Sequence, residues 1–273
     1  MNVNSGFIFL TLILIMAGFS LKDLLIGETI GTFILVFIGC SSVAITVTGI
    51  LDLVLWQVAL IWGVGVFLAI KVSSRWCYAH LNPAVTLAFH LGESYKRKQL
   101  LSMLSGQALG ALLAGVMVLM VFDSWIVDYE QSENLIRGSY PSYKSAQMFG
   151  EFYPNPAFEG VHRVNEISAM MFEGIGTMAL MLVILMSGKL PKQAITQPLA
   201  IAITLGILIY MIAPFTQAGF NPFRDFMPRM VAFVSGWGVE AFPMSVKSAF
   251  SVYILSPILG SCIASIVYKR YIS

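Results

Sequence analysis

The sequence predicts an all-α membrane protein, with six transmembrane helices plus two re-entrant half-helices in an inverted repeat. Three features of the chain lead there. Its 273 residues are 58% hydrophobic and 11% charged, with a mean hydropathy of +0.81, whereas soluble domains carry about 25% charged residues. Apolar runs near the length a helix needs to cross a bilayer, about 20 residues, recur between polar breaks. Finally, Asn82-Pro83 and Asn221-Pro222 each open an apolar segment too short to span. Proline is tolerated in the first turn of a helix, so Asn82 reads as an N-cap and Pro83 as the first helical residue. Two broken segments in corresponding halves of a membrane chain point to a site near the bilayer midplane.

In chain order, residues 6–19 (GFIFLTLILIMAGF) form an apolar run of signal-peptide length, but no Lys or Arg precedes it and no small-residue cleavage site is clear. Residues 1–20 are therefore an N-terminal apolar extension, either an added interfacial or spanning segment or the upstream part of a chain that starts at Met16; residues 21–273 form the membrane domain. The first span, 24–47, carries Glu28 among Gly27, Gly31, Gly39 and Ser41, small residues that let helix backbones approach closely in lipid. The second, 54–71, holds Trp62, Gly63 and Gly65, and is followed by the half-helix of 84–91 and the basic knot Lys96-Arg97-Lys98. The third, 99–121, includes Gln107, Gly110 and Gly115. Residues 122–165 make one long polar, aromatic and proline-rich loop. Span four (166–187, with Glu173, Gly174 and Gly176), span five (198–213), the second half-helix from Asn221 and span six (249–268) complete the chain. Repeat one thus covers 24–121 and repeat two 166–270.

The two halves match each other. GETIGTFILVFIG from Gly27 parallels FEGIGTMALMLVI from Phe172, and each is followed about 50 residues later by Asn-Pro. Three spans separate the copies, so the second is inserted upside down. Basic residues set the orientation. With the amino terminus inside, Lys22, Lys71, Arg75, Lys96, Arg97, Lys98, Lys189, Lys192, Lys269 and Arg270 are cytoplasmic, against Arg137, Lys144, Arg163, Arg229 and Lys247 outside. This bias puts both termini in the cytoplasm.

Half-helices entering from opposite faces bring Asn82 and Asn221 side by side. Each helix amino end carries about half a positive charge, and in lipid its free N–H groups must be satisfied or line water. The asparagine amides then offer donors to a file of water or hydroxyl groups, while the converging positive ends oppose cations and protons. Arg224 adds a fixed charge, and its guanidinium suits a hydroxylated solute in a narrow polar opening.

Plainer readings weigh against several of these residues. A lone Asn-Pro is usually a turn, and Asn155-Pro156-Ala157 spells the same tripeptide in the polar loop with Glu159 and Arg163 behind it. Glu28 and Glu173 read as acceptors for the donor-rich re-entrant backbone rather than as proton carriers, and His80 as a brace for the bend ahead of Asn82. Trp62 alone would read as packing. Cys40, Cys77 and Cys262 are dispersed and read as small buried hydrophobes. His80 and His90 make no metal site, and no nucleophile or paired carboxylates converge, so neither catalytic residues nor a cofactor are expected. No basic stripe is interleaved with aromatics, which argues against nucleic acid.

AHLNPAVTLAFHL with KRK shortly after, LIWGVGVFLAI, IRGSY, YPNP, NPFRDFMPRM and GWG at 236–238 stand in an order and spacing that resemble the aquaporin family. The likeness runs over about residues 24–270 and is specifically to the aquaglyceroporin branch typified by bacterial glycerol facilitators; Asp225 directly after Arg224 is similar to that branch. The resemblance implies the aquaporin fold, with 21–273 as a channel domain, and a homotetramer with one pore per subunit. It further implies a multi-pass protein of the plasma (inner) membrane, whose partners are the lipid bilayer and small neutral solutes. It would conduct glycerol, related solutes and water passively. By the same resemblance the family's two Asn-Pro-Ala caps fall on Asn82, Pro83, Ala84 and on Asn221, Pro222, Phe223. The outer selectivity filter falls on Trp62, Ile209, Ala218 and Arg224, and the supporting scaffold on Glu28, His80, Glu173 and Asp225.

Two departures stand out. Phe223 replaces the usual Ala, and Ile209 and Ala218 stand where the glycerol facilitator has Gly and Phe, a combination similar to plant nodulin-like intrinsic proteins, which conduct glycerol and metalloid hydroxides. Either Phe220 or Phe223 restores the missing aromatic wall, or the opening is simply reshaped. The alternatives are a channel mainly for water, urea or metalloid hydroxides and, from another class, an ion- or proton-coupled secondary transporter, which would need an ion site or proton relay.

Overall fold

A computed structural model describes residues 19–93, 95–188 and 195–272. Most of the N-terminal apolar extension, and the linker with Lys189, Pro191 and Lys192, lie outside the described residues. Six described helices are long and apolar enough to cross a membrane: α1 (Leu21–Val47), α2 (Leu55–Ser73), α4 (Arg97–Ser132), α6 (Glu166–Ser187), α7 (Thr196–Thr216) and α9 (Val246–Tyr271). Two helices of 11 residues, α3 (Pro83–Glu93) and α8 (Pro222–Ala232), interrupt this series, and the long loop holds one short α-helical turn, α5 (Tyr143–Ala146), and one 3-10 turn, Pro156–Phe158. At 1.5 Å per residue, each interrupting helix is about 16 Å long, half of a hydrocarbon core of about 30 Å.

The helix starts follow from side-chain caps. Ser20 accepts from the Asp23 N–H at 3.1 Å, and Asn165 from the Ser168 N–H at 2.9 Å, so each satisfies an orphan donor of the first turn. Past α8 the chain passes through Ser235 and then Gly236 at φ +108°, a conformation that glycine adopts without a Cβ penalty.

Small residues decide the packing. α1 packs along α4, and α6 packs along α9. A Cβ added at Gly110 would lie 2.3 Å from the Thr29 carbonyl oxygen, and one at Gly260 only 2.0 Å from that of Gly174. The same close approach therefore holds both halves together, as the inverted repeat requires. Leu60, Leu112, Ile175, Ile203 and Ile263 stay exposed on the outside of the bundle, the apolar face a helix in lipid presents to its solvent.

One boundary differs from the sequence reading. The third span continues to Ser132 rather than ending near 121, because Phe122, Ile126 and Glu130, at helical spacing, extend one buried face. Glu130 is held there by Arg137, 2.9 Å away, so an acid that reads as loop in sequence sits in a helix.

Candidate functional site

The segments entering the two short helices adopt the same unusual backbone. Ala79 and Leu81 have φ of +54° and +52°, and Ala218 and Phe220, the equivalent positions before Asn221, have +63° and +53°. Such left-handed residues without glycine cost about 1–3 kcal/mol each and persist where the surroundings over-determine them. Here a buried glutamate from the first helix of each repeat does so. Glu28 accepts from the N–H groups of His80 (2.9 Å) and Leu81 (2.7 Å). Glu173 accepts from Gly219 (3.0 Å) and Phe220 (2.8 Å). Gln107 donates to Glu28 and to Thr86 at 2.8 Å, and the Thr216 hydroxyl to Glu173 at 2.7 Å. The His80 ring lies 3.2 Å from the Thr86 hydroxyl and stacks on Phe89 with centroids 4.8 Å apart.

The short helices are tied together through their caps. Asn82 Oδ1 accepts from the Ala84 N–H, and Asn221 Oδ1 from those of Phe223 and Arg224. The amide nitrogens cross over: Asn82 Nδ2 donates to the Phe220 carbonyl at 2.8 Å and Asn221 Nδ2 to the Leu81 carbonyl at 2.7 Å. An amide nitrogen has two hydrogens, so each asparagine keeps one donor beyond this brace. Both asparagines line a cavity of about 590 Å³.

Trp62, Ile209, Ala218 and Arg224 line that same cavity, as do Phe220 and, from the α2–α3 connection, Ser74, Tyr78 and His80. The Arg224 guanidinium carbon sits 4.1 Å from the centre of the Trp62 ring. Gly39 makes room for that ring, since a Cβ there would come within 2.2 Å of it. Leu35, Val66, Leu180 and Leu205 add apolar lining to the same cavity. Of the two phenylalanines named as aromatic substitutes, Phe220 lines the cavity with its ring 2.2 Å from where a Cβ on Gly176 would stand. Phe223 is not among the lining residues and packs, partly buried, against the main core.

Asp225 does not line the cavity either. It accepts from the Glu151 N–H at 2.7 Å and from Arg229 Nη2 at 2.6 Å, while Arg229 Nη2 also reaches the Glu151 carbonyl at 2.6 Å. Arg229, counted from sequence among the outer basic residues, is fully buried; its spacing of four from Asp225 on a helix was the available signal. Glu151, which sequence reasoning passed over, forms an ion pair with Arg224, with side-chain exposures of 2% and 6%. Burial pushes its carboxyl up, to about 8, against the pull of Arg224. Asn155, in the tripeptide set aside as a turn, caps a single turn, Pro156–Phe158, and donates to the Ala213 carbonyl at 2.7 Å, fastening the loop to α7. Among the described residues no group of three His, Cys, Asp or Glu is placed to hold a metal ion.

The profile of the family described as Major intrinsic protein matches residues 16–268. The chain belongs to the major intrinsic protein family. It is 33% identical over 253 residues to a glycerol uptake facilitator protein of Pseudomonas aeruginosa, covering 91% of this chain and 88% of that protein. It is 32% identical over 260 residues to a propanediol uptake facilitator of Citrobacter freundii, covering 93% of each. Its fold is similar to the X-ray structure of the aquaglyceroporin from Plasmodium falciparum, with a TM-score of 0.73 and 25% identity over 93% of this chain and 97% of that one. The six spans with two short helices are thus the aquaporin fold expected from the sequence, in a multi-pass membrane protein.

Proposed function

We propose that this major intrinsic protein is a passive channel through which glycerol, other small uncharged solutes and water diffuse, while ions and protons are excluded. The observation that carries this is the crossed asparagine brace at one cavity whose lining combines polar donors with apolar side chains. A polyol presents hydroxyls on one edge and carbon on the other. The spare Asn82 and Asn221 hydrogens and the Arg224 guanidinium meet the hydroxyls, and Trp62, Ile209 and Phe220 meet the carbon. Two helix amino ends, each equivalent to about half a positive charge, together with Arg224 raise the energy of a cation at the centre. Weak, repeated contacts of this kind allow a solute to leave as readily as it enters.

Ile209 and Ala218 shape the outer opening together with Phe220, so the solute range is set by this trio rather than by Phe223. Glu28 and Glu173 serve as scaffold acceptors of a channel rather than as catalytic groups. The protein is a homotetramer of the plasma membrane with both termini cytoplasmic; the basic-residue bias and the family resemblance support that reading.

Uptake of labelled glycerol into vesicles holding the purified protein tests the passive reading. The internal concentration should rise to the external one and stop there under any imposed proton or sodium gradient. Accumulation beyond it would identify coupled transport instead.

A further inference from the structure

We propose that Glu151 is a specificity-determining residue of the outer opening: its carboxylate holds the Arg224 guanidinium in place beside Trp62, and its charge state sets how strongly that guanidinium engages passing solutes. The inference rests on the reading of the cavity as the path of glycerol and water. Glu151 is not among the cavity-lining residues, so it acts through Arg224 as a positioning residue.

An unpaired guanidinium carries five donors and a full charge. At 5% exposure it would hold solute hydroxyls long enough to slow their release, whereas conduction needs binding weak enough to leave. Pairing with Glu151 balances the charge and engages part of the donor set. The main chain that carries the carboxylate is anchored beside α8, because the Glu151 N–H donates to Asp225 and its carbonyl accepts from Arg229. The chain of Gly219 closes one side, with a Cβ there only 3.3 Å from Glu151 Cγ.

The charged and titratable groups around it are Arg224, Asp225 and Arg229 on α8, Glu173 on α6, Tyr253 on α9 and Cys40 on α1. Glu173 is saturated by two backbone donors and Thr216, and Asp225 by the Glu151 N–H and Arg229. Among the described residues, Glu151 Oε1 faces Arg224 and makes no further hydrogen bond. Its carboxyl is therefore the acid whose ionisation Arg224 registers directly. With its titration pushed up to about 8, the ionised-to-neutral ratio changes about tenfold per pH unit around that value. Below it, neutral Glu151 leaves the Arg224 charge unbalanced and its donors free for solute, and glycerol passes slowly. Above it, the pair forms and glycerol passes faster.

Stopped-flow permeability of glycerol and of water, in vesicles holding the wild type, Glu151→Gln or Glu151→Asp, tests this across about 1.5 pH units on either side of the titration. Wild-type glycerol permeability should rise roughly twofold or more with pH, with its midpoint near 8. Glu151→Gln should stay flat at the low-pH level and shift the glycerol-to-water ratio, and Glu151→Asp should restore the rise. A flat wild-type profile, or the same step in Glu151→Gln, overturns the proposal. If Glu151→Gln does not fold, the wild-type and Glu151→Asp profiles decide. Water flux with no glycerol flux at any pH refutes the glycerol path while leaving the water profiles to judge Glu151, and a folded protein that conducts neither contradicts both.

Discussion

Glu28 and Glu173 show how a residue type can be read before its contacts are known. Each is an acid in an apolar span at the same place in its repeat, and a bare carboxylate there is expensive. That pairing suggests a scaffold role, and in the structure each takes two backbone donors from the bend before its asparagine. Removing the acceptor strands those donors, and a buried donor without a partner costs about 1–3 kcal/mol. Glu173→Ala should therefore lower the unfolding temperature in detergent far more than Glu173→Gln, which keeps one acceptor; thermal unfolding of the two variants side by side checks it. Glu151 was not legible in the same way. Its partner Arg224 lies far along the chain, and a loop acid in a polar stretch carries no periodicity to mark it. The buried Arg229 was missed because a basic residue between spans reads as exposed; its spacing of four from Asp225 hinted at a pair, and the convergence of Asp225, Glu151 and Ala241 on it accounts for the burial.

At the scale of elements, proline and asparagine carried most of the information. Asn-Pro fixes where a helix begins, so both short helices start at the predicted residue. Where they end depended on packing, and the run of α4 to Ser132 was marked only by the spacing of Phe122, Ile126 and Glu130 within a polar stretch. The tripeptide at Asn155 makes the limit plain: its cap is chemically the same, yet only one turn follows because no apolar face continues behind it. Phe223 follows the same logic. Its place in the second motif suggested an effect on the opening, but its ring packs against the core outside the cavity. Phe223→Ala should then cost stability, on the order of 1–3 kcal/mol for a partly buried phenylalanine, while leaving the order of glycerol, urea and water permeabilities unchanged. Unfolding and flux measured on one preparation would separate the two effects, and a changed solute order would place Phe223 in the opening after all.

For the molecule as a whole, the inverted repeat organises everything else. It pairs α1 with α4 and α6 with α9 through backbone contacts that only glycine permits, and it brings two equivalent bends to one centre, where each asparagine donates to the other bend's carbonyl. This arrangement was legible because self-similarity, short apolar segments and glycine spacing are all sequence properties. The lining of the cavity was less so, because it arises from side chains on α2, α7 and α8 meeting in space. Stopped-flow light scattering on vesicles reconstituted with the protein, comparing water, glycerol and urea with empty vesicles at a pH above the Glu151 titration, tests the channel directly. Glycerol entry well above the lipid background, abolished by Asn82→Leu in a correctly inserted protein, is the predicted result. Glycerol entry no faster than in empty vesicles, or full conduction by that variant, would contradict a path through the paired asparagines.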